Sequence, residues 1–220
     1  MAHLITVGRL LLLMGVVWLI YRFRDNVGVI SACMVLLIVV FVSDGLDGFV
    51  ARRRNSTSAF GAVFDIAGDR IVENVLWVVF ADLDVIPVWV PILVLTRGFV
   101  VDSLRSLSYA DGMTAFGDRN MMRSAFTRWL TAGRFMRGLY GYTKALAFVY
   151  LTGVVAWEQR NGDDTWISSL YGQQWFRAVG WALTYGTVAL TVVRGLPVIY
   201  DSLGAIREQP QPLAGKKSGA

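Results

Sequence analysis

Six apolar runs divide the chain: Leu4 to Tyr21, Val27 to Ser43, Phe60 to Phe80, Ile86 to Val101, Leu139 to Trp157 and Trp175 to Ile199. About 20 mainly apolar residues make a helix that crosses a bilayer, and helices or closed barrels alone can satisfy their backbone there. The runs therefore predict an all-α integral membrane protein with six transmembrane helices. The fourth run is short, and reaches the needed length if its helix continues through the polar stretch to Leu107. Composition agrees: 55% of the 220 residues are hydrophobic and 17% charged, against roughly 25% charged in an average soluble domain. Such content excludes a disordered chain.

Orientation follows from where the bases fall. With the amino terminus inside, twelve Lys and Arg lie in cytoplasmic segments: Arg52 to Arg54, a long loop with Arg105, Arg119, Arg123, Arg128, Arg134 and Arg137, and a tail with Arg207, Lys216 and Lys217. The external connections hold three, Arg22, Arg24 and Arg160. Excess bases mark cytoplasmic loops, so both termini are expected in the cytoplasm. The net charge of +5 is then used for orientation, and nucleic acid is not an expected partner. Residues 1–201 form the membrane domain on this reading, and 202–220 a flexible cytoplasmic tail. The loop from Ser108 to Gly133 alternates bases with Met121, Met122, Phe126 and Trp129, a pattern for a helix lying on an anionic leaflet. A lone cysteine, Cys33, excludes an intrachain disulfide. Ile30-Ser31-Ala32-Cys33 looks like a lipoprotein cleavage box, but Arg22, Arg24 and Asp25 separate it from the first apolar run, whereas a signal cleavage site follows that run closely.

Carboxylates inside apolar spans cost at least ~2.5–3.5 kcal/mol each, so they need a partner or a function. Asp44 and Asp47 end the second run, and Asp65 and Asp69 lie within the third. Steps of three and four residues keep each pair on one helical face, and a short connection lets the two pairs converge. Four crowded carboxylates call for compensation. A hard divalent cation, Mg²⁺ or Mn²⁺, is the usual one for oxygen donors, whereas zinc recruits His or Cys. The alternative is a set of ion pairs with Arg52, Arg70 or other bases.

The segment reads Asp44-x2-Asp47-Gly48-x2-Ala51-Arg52-x8-Gly61-x3-Asp65-x3-Asp69. It resembles the signature of the CDP-alcohol phosphatidyltransferase family at all eight specified positions, a coincidence with a chance probability on the order of 10⁻⁹. The resemblance implies transfer of a phosphatidyl group from CDP-diacylglycerol to the hydroxyl of a small alcohol, with release of CMP. It implies Asp44, Asp47, Asp65 and Asp69 as ligands of one or two metal ions, with Asp69, the last acid of the set, also serving as general base. Gly48, Ala51 and Gly61 would leave room for the nucleotide, and Arg52 would donate to phosphate oxygens. It also implies a homodimer among membrane lipids, in a cytoplasmic (inner) membrane with the active site facing the cytoplasm. A cation transporter could use intramembrane carboxylates too, but would not require Gly48, Ala51, Arg52 and Gly61 at fixed spacing.

Flanking residues are similar to the phosphatidylglycerophosphate synthases of that family: Thr6 and Arg9, the stretch Arg97 to Arg105, and Tyr142-Thr143-Lys144. His3 and Gly98 depart from that pattern, where Asn and Glu are usual. Arg97, Arg105, Arg137, Lys144 and Arg194 are candidate ligands for an acceptor phosphate, with Asp102 and Asp201 as the chief acids available to pair with them. Glycerol 3-phosphate is the favoured acceptor, with inositol phosphate and serine as alternatives.

Overall fold

The computed structural model describes residues 2–54, 59–110, 129, 133–159 and 165–208. Every element among them is helical: α1 (Ala2–Arg22), α2 (Val27–Arg54), α3 (Ala59–Asp82), α4 (Trp89–Ala110), α5 (Arg134–Glu158), α6 (Trp166–Tyr171) and α7 (Gln174–Glu208). Each apolar run lies in its own long helix except at the start of the fourth, where Ile86, Pro87 and Val88 precede α4. α4 extends through the polar stretch past Leu107, and α7 passes Asp201 to Glu208. The short α6 had no counterpart in the apolar pattern. The expected helix between Ser108 and Gly133 falls almost wholly outside the described residues.

Among the described residues two helices, over Phe135–Glu158 in α5 and Gln174–Asp201 in α7, are long and apolar enough to cross a membrane. α2 is apolar over Val27–Ser43, after which the carboxylates begin. Charges interrupt α3 and α4: Asp65, Asp69, Arg70 and Glu73 in the former, and Arg97, Asp102 and Arg105 in the latter. The apolar helices and the large apolar side chains on their outer surfaces, Leu11, Trp18, Val35 and Trp175 among them, are those of a membrane protein.

The chain divides into two compact units, residues 1–95 with 140–189, and residues 96–139 with 190–220. In the first, α1 packs against both α2 and α3. Leu13, Val16 and Ile20 of α1 meet Ile30, Cys33, Leu37 and Val40 of α2 and Leu76, Trp77 and Phe80 of α3, all buried. Three- and four-residue steps place the α1 and α2 sets each on one face, and in α3 Leu76 and Trp77 stand four and three residues before Phe80 on the same side. Phe148 of α5 completes this core, its ring 4.7 Å from Trp77, 5.8 Å from Phe41 and 6.1 Å from Phe80. Two buried hydroxyls bond back along their own helices, Thr152 to the Phe148 carbonyl and Thr184 to that of Gly180, so neither needs water. In the second unit, Val101 and Val198 form a small core with Ile199.

Close approaches of aromatic rings tighten the first unit where glycine leaves space. Tyr150 lies where a Gly180 side chain would begin, and Tyr171 does the same at Gly153. Gly180→Val is therefore expected to destabilise the protein by roughly 1–3 kcal/mol through overpacking, read as a fall in the Tm of the detergent-solubilised protein. An unchanged Tm would mean that Tyr150 can swing aside without loss.

Candidate active site

Asp65, Asp69 and Glu73 follow one another at four-residue steps along α3, so the three acids share a face, with about 6 Å of rise between neighbours. Asp44, Asp47, Gly48, Ala51 and Arg52 are in the carboxyl-terminal part of α2, and Gly61 in the first turn of α3. Their side chains, and that of Asp65, lie outside the described set. Of the four signature acids, Asp69 alone has a described side chain.

The Asp69 carboxylate is 43% exposed and meets α1 through Arg9, whose Nη2 donates to Oδ1 at 2.7 Å. The Arg9 side chain itself is only 2% exposed. Gly68 makes this contact possible: a Cβ there would stand 2.6 Å from Thr6 Cγ2 and 3.0 Å from Arg9 Nη2. The ion-pair alternative thus holds in part. Asp69 does have a basic partner, and Arg70 reaches Glu73 at 3.7 Å.

Glu73 is the acid the sequence reading passed over. Its side chain is 3% exposed, and it accepts from the Lys144 ammonium at 3.2 Å and from the Tyr140 hydroxyl. Lys144 also lies 5.2 Å above the Tyr140 ring. This corrects the expectation that Asp102 and Asp201 are the chief acids available to the bases, because Lys144 pairs with Glu73. The signal was present, since Glu73 continues the Asp65-to-Asp69 step by one more turn in an otherwise apolar stretch.

The other candidate acceptor ligands belong to the second unit. Arg97 lies across the backbone of Gly195, where a Cβ would come within 2.6 Å of its Nε. Arg137 is exposed, Arg194 is half-buried, and the Arg105 side chain is outside the described set.

A helical membrane protein with a row of acids on one helix, each described member held by a base from another helix, has a candidate functional site among its apolar helices. A profile of the CDP-alcohol phosphatidyltransferase family matches residues 1–193, and the chain belongs to that family. Among similar proteins, the CDP-diacylglycerol--glycerol-3-phosphate 3-phosphatidyltransferase of Bacillus subtilis is 30% identical over 32% of this chain and 37% of its own length. The enzyme of the same name from Treponema pallidum is 28% identical over 60% of this chain and 64% of its own. The phosphatidylinositol phosphate synthase of Mycobacterium marinum is 34% identical over 40% and 39%. Each match spans less than two thirds of the relative.

Proposed function

We propose that the protein transfers the phosphatidyl group of CDP-diacylglycerol to the hydroxyl of a small phosphorylated alcohol, favouring glycerol 3-phosphate, and releases CMP. The observation that carries this reading is the unbroken signature from Asp44 to Asp69 inside a family match covering most of the chain. The names of the Bacillus and Treponema relatives support glycerol 3-phosphate, and that of the Mycobacterium relative supports an inositol phosphate as the second choice.

The donor set fits a hard divalent cation, Mg²⁺ or Mn²⁺, as one or two ions: Asp44, Asp47, Asp65 and Asp69 offer oxygen only, and Asp69 presents a half-exposed carboxylate. Such a cation, when bound, neutralises diphosphate charge and makes phosphorus more electrophilic. The chain's own residues do the rest. Arg52 holds phosphate oxygens by paired donation, and Gly48, Ala51 and Gly61 leave the helix surfaces open to the nucleotide. The acceptor hydroxyl attacks the phosphorus that carries the diacylglycerol ester. Its proton passes to an Asp69 oxygen, and the bond from that phosphorus to the CMP oxygen breaks.

The same reading has six membrane crossings, because each apolar run coincides with a long helix. Both termini and the site lie on the cytoplasmic side of the inner membrane, as the distribution of bases favours, and two copies form a homodimer.

The test is CMP release by the purified protein in mixed micelles with CDP-diacylglycerol. Glycerol 3-phosphate is expected to support turnover at least ten-fold better than serine, and EDTA is expected to stop it. CMP release with serine but with no phosphorylated alcohol would overturn the acceptor assignment. Turnover unaffected by EDTA would remove the metal.

A further inference from the structure

We infer that Arg9 is a positioning residue for Asp69, and that Gly68 is the gap through which α1 reaches it; this rests on the reading of Asp69 as the base. An arginine buried among apolar helices is costly unless paired, and Arg9 is almost entirely enclosed. A side chain 2% exposed offers little surface to a substrate arriving from solvent. Its reach is toward Asp69, whose Oδ1 it holds at 2.7 Å.

The geometry gives that contact a purpose. Asp69 is 43% exposed, and a half-exposed carboxylate on a helix samples several χ1 and χ2 rotamers. A proton acceptor works when its oxygen stands within about 2.6–3.2 Å of the hydroxyl it serves. Fixing Oδ1 from the buried side leaves rotation of the carboxyl group restricted, and so restricts where Oδ2 can be. Arg9 is held in turn by α1, whose Leu13, Val16 and Ile20 are locked in the core one to three turns further along. The position is thus set by the fold and not by the substrate.

Gly68 makes the inference testable from the other side of the contact. With 2.6 Å to Thr6 Cγ2 and 3.0 Å to Arg9 Nη2, a methyl group forces Thr6 to shift and crowds the guanidinium that holds Asp69. Alanine in a helix is otherwise favourable relative to glycine, so a loss of turnover in Gly68→Ala points to displaced α1 side chains, and the combination with Arg9→Met tells whether Arg9 is the one that matters.

The experiment measures kcat and both KM values for Arg9→Met, Arg9→Lys and Gly68→Ala in the full-length protein by CMP release, with Asp69→Asn alongside. Arg9→Met is expected to lower kcat by about 10- to 100-fold while both KM values stay within about three-fold, the pattern of a group that orients and does not bind. Arg9→Lys should recover part of the loss, because an ammonium keeps the charge but not the fork. Gly68→Ala should lower kcat with the same KM pattern, and should add little in the Arg9→Met background.

A second readout needs no turnover. Arg9→Met should lower Tm by about 5 °C or more, and by less than half as much in the Asp69→Asn background, since the pair is already altered there. If Arg9→Met cannot be purified, Arg9→Lys and Gly68→Ala decide by the same KM and kcat pattern. Wild-type kcat in the Arg9 and Gly68 variants, beside an inactive Asp69→Asn, overturns the positioning role alone. A large rise in either KM at unchanged kcat overturns it as well, by making Arg9 a binding residue. A fully active Asp69→Asn overturns the base assignment and the positioning role together.

Discussion

Asp69→Asn is expected to lower kcat for CMP release by about 10²- to 10⁴-fold, the usual contribution of a positioned general base. The amide has nearly the shape of the carboxylate, and its carbonyl oxygen can still accept from Arg9 Nη2, the contact that holds Oδ1 at 2.7 Å in the native protein. What it loses is the ability to take the proton of the acceptor hydroxyl. Binding of CDP-diacylglycerol, measured directly with the nucleotide-labelled lipid, should change by no more than a few-fold. Asp44→Asn and Asp65→Asn should behave differently. Each removes one charge from an all-oxygen cation site, so the divalent-ion concentration for half-maximal activity should rise. Near-wild-type kcat in Asp69→Asn would remove it as the base, and an unchanged metal requirement in the other two would remove those acids as ligands.

The helices were legible in the sequence because each required a long apolar run, and such runs have few other structures available. Which face of each helix turns inward was not. Along α2, Ile30, Cys33, Leu37 and Val40 are buried, whereas Val35, Ile38, Val39 and Val42 are exposed. All are apolar but for the cysteine, itself a small hydrophobe, and hydropathy does not separate a helix's partner from its surroundings when both are oily. The short α6 escaped for another reason: its caps are local, Thr165 accepting from the Ser168 amide at 3.2 Å and Arg177 donating to the Tyr171 carbonyl at 3.0 Å, but six residues are too few for an apolar run to mark.

The signature was legible for the opposite reason. Its chemistry requires given side chains at given helical steps, so spacing carries the information. Its supports are legible only in part. Glu73 lies on the same face of α3 as Asp65 and Asp69 and could have been found by continuing the four-residue step. Its partners Tyr140 and Lys144 come from α5, and the partner of Asp69 comes from α1, sixty residues earlier. No local pattern relates positions so distant. The lack of a side chain at Gly68 also reads in sequence like any helical glycine until Thr6 and Arg9 are seen to occupy the space.

Glu73→Leu is expected to destabilise the protein by ~3–5 kcal/mol, the usual cost of removing one member of a buried ion pair and leaving the other charge uncompensated. For a chain of this length that corresponds to a fall in Tm of about 6–20 °C. Leucine fills nearly the same volume, so a cavity does not account for the loss. Two explanations then compete. If the cost lies in the hydrogen bonds from Lys144 and Tyr140, each is worth about 0.6 kcal/mol on average between membrane helices and at most about 1.7. Replacing Lys144 as well should then give nothing back. If the cost lies in the stranded ammonium, which at 14% exposure has little access to water, Glu73→Leu with Lys144→Met should regain most of the lost stability. The Tyr140 hydroxyl loses its acceptor in both proteins, so that contribution cancels in the comparison. Arg70 is 27% exposed and within reach of solvent, which leaves Lys144 as the charge that needs Glu73 most. Recovery in the double variant is the expected result, and a double variant no more stable than Glu73→Leu would show that the hydrogen bonds, not the charge, are what Glu73 supplies.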